Sequence, residues 1–344
     1  MYKLPRLSRR AFLRLGLIGG IGASAAVVYK ETEPVGFANW FRWLLRGQAE
    51  RFAAPAHVAI SQCASYEENI LACITQLWRD ANAPALHSAR VVIKPNLVDF
   101  LDGRPSFTHP RVVEALIQFL RAVQRVRSVV IAEGTTFRRD SEALLIQTGY
   151  AEMLERQHVE FVDLNYDDLV PVHLRGGYAR MDKLFLARTV VEADALISVP
   201  KLKTHHWTQV SGSIKNLFGI VPGIKYGWPK NTLHIKGIPA FLAELLDSLP
   251  TPQRVGLVDG IVGMQGDGPL FGSAVSSGVL ALSTDFLALD ATCARLMGFD
   301  PAQIDYLAFA AWAGLGHVDT NKIQTVGASL DLLRRNFQPP PRIT

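Results

Sequence analysis

Between Lys201 and His234 the chain carries five lysines (Lys201, Lys203, Lys215, Lys225 and Lys230) and three histidines (His205, His206 and His234), with no aspartate or glutamate. Ammonium groups without internal counter-charge want an anion. A neighbouring imidazole titrates near neutrality and can exchange a proton with a hydroxyl or an α-carbon. Ser211-Gly212-Ser213 precedes Ile214, so its backbone N–H groups can open a short helix and cradle a carboxylate or phosphate. Lys215 and Asn216 follow at once. A lysine there offers a compact amine, suited to charge neutralisation or covalent attachment. His205 and His234 present ring nitrogens to a transition metal, although their separation matches no zinc spacing. The plainer alternative is a mobile basic loop, against which Leu217, Phe218, Ile220 and Val221 argue because they need cover.

A second set of polar residues stands where apolar runs end. Lys94-Pro95-Asn96 follows Val91-Val92-Ile93, Glu133-Gly134 follows Val129–Ala132, Pro200 to His206 follows Leu196–Val199, and Asp259-Gly260 follows Gly256–Val258. In an open α/β sheet, ligands lie beyond the carboxyl ends of the strands. Lys94, Asn96, Lys201, Lys203, His205 and Asp259 are therefore expected to line one crevice. Turn and cap chemistry also places polar residues at strand ends, so each one alone means little. The segment Asp259 to Gly272 holds five glycines but is neither a Walker A nor a dinucleotide fingerprint. It reads as a loop in which Gly266 lets backbone approach a ligand while Asp259 holds a hydroxyl, a metal or a lysine. A structural Ω-loop fits it equally. Thr108 reads as the N-cap and Pro110 as the first turn of a helix beginning at Arg111, with His109 either at the surface or leaning over the crevice.

The elements that must hold these groups alternate. Strands are predicted at residues 57–62, 90–93, 128–132, 159–163, 195–199, 254–258 and 278–282, and helices at 67–79, 111–126, 238–249 and 286–297. The fold class is α/β: a largely parallel sheet covered by helices on both faces, with an N-terminal signal or anchor segment. The organisation reads as a leader over 1–30, an amphipathic connecting segment over 31–56, the α/β domain over 57–336 and a Pro-rich tail over 337–344.

The 344 residues include 49% hydrophobic and 19% charged positions, which excludes disordered, collagen-like and coiled-coil classes. The net charge of +5 equals the five basic residues Lys3, Arg6, Arg9, Arg10 and Arg14 at the start of the chain, and everything after Arg14 sums to zero. The body is therefore neutral and lacks the field that nucleic-acid binding needs. Ser8-Arg9-Arg10-Ala11-Phe12-Leu13-Arg14, followed by uncharged residues 15–29, fits a twin-arginine export signal. It implies the twin-arginine translocation machinery as a partner and a location in the periplasm or on the outer face of the cytoplasmic membrane. The stretch 15–29 also offers membrane association if it is not cleaved. Cys63, Cys73 and Cys293 form no Cys-x-x-Cys pair, so no intrinsic iron–sulfur cluster is expected.

Lys94-Pro95-Asn96, Thr108-His109-Pro110, Pro200 to His205, Ser211 to Gly219, Asp259 to Pro269 and Asp285 to Gly298 together resemble the domain of unknown function family number 362, over roughly residues 57–328. That resemblance implies no established activity. The order His205, Lys215, Pro222-Gly223, His234 is more distantly similar to lactate racemase-like proteins. That likeness implies Lys215 as the tether of a nickel-type cofactor and His234 as a metal ligand, although Ser213-Ile214 stands where that family has Gly-Ala. Two functions follow. One is an exported enzyme with a metal- or nucleotide-like cofactor, acting on a small carboxylate by isomerisation or redox change, with His205 and Lys215 catalytic. The other is a non-catalytic envelope protein that binds an anionic metabolite or assists cofactor insertion.

Overall fold

The computed structural model describes residues 54–136, 139–227, 233 and 237–341. The twin-arginine leader, most of the amphipathic connecting segment, His234 and the last three residues of the chain lie outside these. Among the described residues no helix is long and apolar enough to cross a membrane.

Twelve strands are β1 (Ala56–Gln62), β2 (Arg90–Pro95), β3 (Ser128–Glu133), β4 (Glu160–Asp163), β5 (Leu169–His173), β6 (Lys183–Ala187), β7 (Ala195–Val199), β8 (Lys201–His205), β9 (Gln209–Ser211), β10 (Gln253–Gln265), β11 (Ser273–Ser283) and β12 (Ile323–Gly327). The main sheet has the order β12-β1-β11-β10-β7-β2-β3-β4, with β8 joined to β10 and β9 to β8; β5 and β6 form a separate pair. The pairs β10–β7, β7–β2, β2–β3 and β3–β4 are parallel. The sheet is mixed rather than uniformly parallel, because β11 runs antiparallel between β10 and β1. The cause is β10, which continues for 13 residues and returns antiparallel after the connection Gly266 to Gly272.

Alternation along the strands divides the core into two layers. Val91, Ile93, Ile131, Ala195 and Ile197 pack under the helices Ile70–Asp80 and Pro110–Ala122. Val92, Ala132, Leu196 and Val258 face the helices Ile238–Ser248 and Phe286–Leu296 on the other side. Helices thus cover both faces, as runs apolar on both sides require. The starts of these helices are fixed locally. Asn69 accepts from Ala72 N at 3.0 Å and Asp285 from Ala288 N at 2.9 Å. His109, not Thr108, caps the helix at Pro110 by accepting from Arg111 N. Thr108 is drawn inward instead: its Oγ1 donates to Val199 O at 2.6 Å and accepts from Asn96 N at 2.9 Å.

Two segments expected as loops are strand. Lys201–His205 is β8, buried along its whole length. The glycine-rich segment stays in β10 as far as Gln265, because glycine is what the crossing admits: a Cβ on Gly260 would press on Leu202 and Val279. The chain end is held as far as Gln338, whose N–H donates to Gln265 Oε1 and whose carbonyl accepts from Gly266 N at 2.9 Å.

Candidate functional site

The carboxyl ends of β2, β3 and β7 lie side by side in the sheet, with Asp259 of β10 next to them. They bring the expected lysines into two buried ion pairs. In the first, Lys94 Nζ sits 2.5 Å from Glu133 Oε1, with both side chains 1% exposed. Lys94 also donates to Asn216 Oδ1 at 3.0 Å and Pro95 O at 3.1 Å. Glu133 is held by Leu97 N at Oε2 and Gly134 N at Oε1, each at 2.9 Å. Burial draws the Lys94 ammonium down and Glu133 opposes it. Gly219 covers the pair, and any Cβ there would run into Glu133 and Lys94.

In the second, Lys201 Nζ lies 3.0 Å from Asp259 Oδ2 and donates to Tyr66 Oη at 2.6 Å. Tyr66 donates to Asp259 Oδ1 at 3.0 Å, and His109 N donates to Oδ2 at 2.9 Å. The rings of Tyr66 and His109 stack with centroids 3.8 Å apart. Burial lowers His109 to about 4, opposed by Asp259 and reinforced by Lys201 and Arg111, so the ring is neutral. Asp259 thus holds a lysine, one of the roles its sequence context allows.

Two lysines remain without a carboxylate. Alternation along β8 puts Lys201, Lys203 and His205 on one face and Leu202 and Thr204 on the other. Lys203 is buried and donates to two carbonyls, Ser106 O at 2.6 Å and Pro269 O at 3.2 Å. Burial, then the like charges of Lys215, Lys201 and Lys94, bring it down to about 7, with Glu133 opposing. Lys215 is half-buried with Nζ 4.8 Å from the Phe218 ring centroid. Burial and Lys94 bring it down to about 8, again opposed by Glu133. Four lysines therefore share a field that holds two acids.

His205 is buried, and its Nδ1 accepts from Trp207 N at 3.1 Å, which leaves the ring proton on Nε2. Asn96 is also buried. Its Nδ2 faces Asn216 Oδ1 at 3.5 Å, and its Oδ1 has no hydrogen-bond partner among the described residues. Asn216 ties the short helix Ser213–Asn216 to β2 and β7, donating to Lys94 O at 3.1 Å and Ser198 Oγ at 3.0 Å.

The cradle expected from Ser211, Gly212 and Ser213 receives a carboxylate of the chain's own. Its N–H groups hold the carboxylate of Asp290, which accepts from Ser213 N at 2.6 Å and Ile214 N at 3.0 Å and also from Tyr306 Oη at 3.2 Å. A Cβ on Gly212 would collide with that carboxylate. Burial raises Asp290 to about 7 despite these donors. Gly266 likewise spends its N–H on Gln338 O. The chain thus supplies its own partner at both places.

Tyr66 and Asp290 escaped sequence reasoning. An acid inside the apolar helix run Phe286–Leu296 was the available signal for Asp290, and Tyr66 carried none. A separate hollow of about 290 Å³, lined by Leu246, Arg254, Thr284 and Asp285 among others, lies at the amino edge of the sheet and contains none of these residues.

Comparison with known proteins places this geometry in context. The family model described as "Domain of unknown function (DUF362)" matches residues 91–295. A thylakoid-associated protein of Synechocystis sp. (strain ATCC 27184 / PCC 6803 / Kazusa) is 32% identical over 236 residues, 66% of this chain and 68% of that one. Among solved structures, a structural-genomics protein from Thermotoga maritima aligns with a TM-score of 0.40 at 16% identity, covering 62% of this chain and 55% of that one. The lactate racemase apoprotein of Thermoanaerobacterium thermosaccharolyticum aligns with a TM-score of 0.42 at 16% identity, covering 72% of this chain and 58% of that one. The chain spans less than two thirds of the length of either solved structure.

Proposed function

The chain belongs to the domain of unknown function (DUF362) family, and for this member we propose a small-anion site with acid–base capacity, built around Lys203, Lys215 and His205. The observation that carries the reading is the imbalance of the cluster. Glu133 and Asp259 are committed to Lys94 and Lys201, which leaves Lys203 and Lys215 to a negative charge from outside. A unit anion about 4 Å from one ammonium gains about 4 kcal/mol at an effective dielectric near 20. Lys203, near 7, and Lys215, near 8, both change protonation around neutrality. They can therefore give or take a proton as well as bind. His205 lies on the same face of β8 as Lys203 and brings an imidazole to the site.

A transition-metal cofactor of nickel type rests on His234, outside the described residues. Among those described, no three His, Cys, Asp or Glu side chains gather as a metal site. The described residues by themselves do not fit such a centre. Export by the twin-arginine route is part of the proposal. It rests on Arg9-Arg10 and accords with the thylakoid association of the Synechocystis relative.

Isothermal titration with acetate, phosphate and pyruvate tests the site. Saturable binding that weakens at least about tenfold in Lys203→Met and Lys215→Met, with unchanged melting, is the expected result, since tenfold is about 1.4 kcal/mol. Binding indifferent to both substitutions would remove the site.

A further inference from the structure

Buried lysines ordinarily keep an acid beside them, and this crevice obeys that rule at Lys94 and Lys201. Lys215 departs from it. Its Nζ rests over the Phe218 ring, and its charged neighbours are Lys94, Lys203 and, opposing them, Glu133. The backbone beneath it is clamped from two sides. Asp290 holds the N–H groups of Ser213 and Ile214, and Asn216 is tied to Lys94 O and Ser198 Oγ. Although its backbone is fixed, the residue is only partly buried. An amine held in place, reachable and surrounded by like charge is the arrangement that makes lysine a nucleophile.

We propose that Lys215 forms an imine with a small anionic carbonyl compound of the 2-oxo acid class, whose carboxylate pairs with Lys203. The neutral amine attacks the carbonyl carbon to give a carbinolamine. The carbonyl oxygen then leaves as water with the two amine hydrogens, and a C=N bond remains. The step consumes no oxidant or reductant. A site that only binds anions gains nothing from an amine near 8, whereas about a tenth of such an amine is neutral at pH 7, against well under about a thousandth of an ordinary lysine. The inference rests on the anion-site reading, because the Lys203 contact is that site.

The full chain is incubated with pyruvate and sodium cyanoborohydride, and the mass increase is located by peptide mapping. Acetate, which binds as an anion and forms no imine, is titrated in parallel. The expected result is one reduced pyruvate adduct, on Lys215, with a yield that at saturating pyruvate rises between pH 7 and 9. Lys215→Arg should abolish the adduct while acetate still binds within a few-fold, because the charge is retained. Lys203→Met should lower the yield at limiting pyruvate and leave it intact at saturating pyruvate. Acetate binding without an adduct, or labelling spread over exposed lysines such as Lys183 and Lys225 and unchanged by Lys215→Arg, overturns the imine and leaves the anion site standing. If the unaltered chain shows neither acetate binding nor an adduct, both are overturned.

Discussion

The Lys94–Glu133 pair offers a perturbation whose two halves should move stability together and ligand binding apart. Lys94→Met leaves Glu133 with its two backbone donors, Leu97 N and Gly134 N, but no cation, and strips Asn216 Oδ1 of its strongest donor. Both groups of the pair are fully buried. Removing one partner of such a pair costs about 3–5 kcal/mol, because the other is left charged in a poor solvent. For a domain of this size that lowers the melting temperature by about 10 °C. Glu133→Gln strands Lys94 instead and should cost a similar amount.

Anion binding should separate the two. Glu133 is the group that opposes the lowering of both Lys203 and Lys215, and Lys94 is among those that cause it. Removing the Glu133 charge makes the crevice more positive, and removing Lys94 makes it more negative. A unit charge about 10 Å from the bound anion is worth about 1.5 kcal/mol at a dielectric near 20, which is about tenfold in affinity. Acetate titration at pH 6, where Lys203 and Lys215 are both charged, should show tighter binding in Glu133→Gln and weaker binding in Lys94→Met. Urea unfolding supplies the stability values. Equal shifts of acetate affinity in the two variants, or a stability loss below about 1 kcal/mol in both, would refute the assignment of a shared field.

Three other outcomes are expected. Gly219→Ala should cost about 1–3 kcal/mol and weaken acetate binding, because the new Cβ meets Glu133 and Lys94 and must push them or the backbone aside; urea unfolding and acetate titration check this. Iodoacetamide at pH 8 should modify Cys73 in the folded chain and spare Cys63, buried and pushed up to about 12, and Cys293, whose burial raises it well above the usual thiol range; mass spectrometry before and after urea tells whether all three react only on unfolding. Replacing both Arg9 and Arg10 with Lys should leave the precursor in the cytoplasm, and fractionation showing normal export of that variant would end the localisation proposal.

The legible and illegible parts of this molecule divide along sequence distance. Apolar runs such as 90–93 and 195–199 declared β2 and β7 within a residue or two, since a strand buried on both faces needs nothing but its own composition. The helix at Phe286 was legible from its own pattern, and the structure adds Asp285 as its cap. β8 was illegible for the opposite reason. Lys201-Leu202-Lys203-Thr204-His205 has the polar–apolar alternation of a solvated strand, but its polar face turns to a crevice whose partners come from elsewhere: Tyr66 lies 135 positions from Lys201, and Ser106 lies 97 from Lys203. The same distance misdirected the reading of Ser211 to Ser213. Backbone N–H groups at a helix start do want a carboxylate, and the physical inference to an anion was sound. The carboxylate belongs to Asp290, 77 residues further on. Once that cradle is filled internally, its role changes from binding a ligand to fixing Lys215. The anion proposed above then belongs at the ammonium groups, where Glu133 and Asp259 leave two of four lysines without a paired acid.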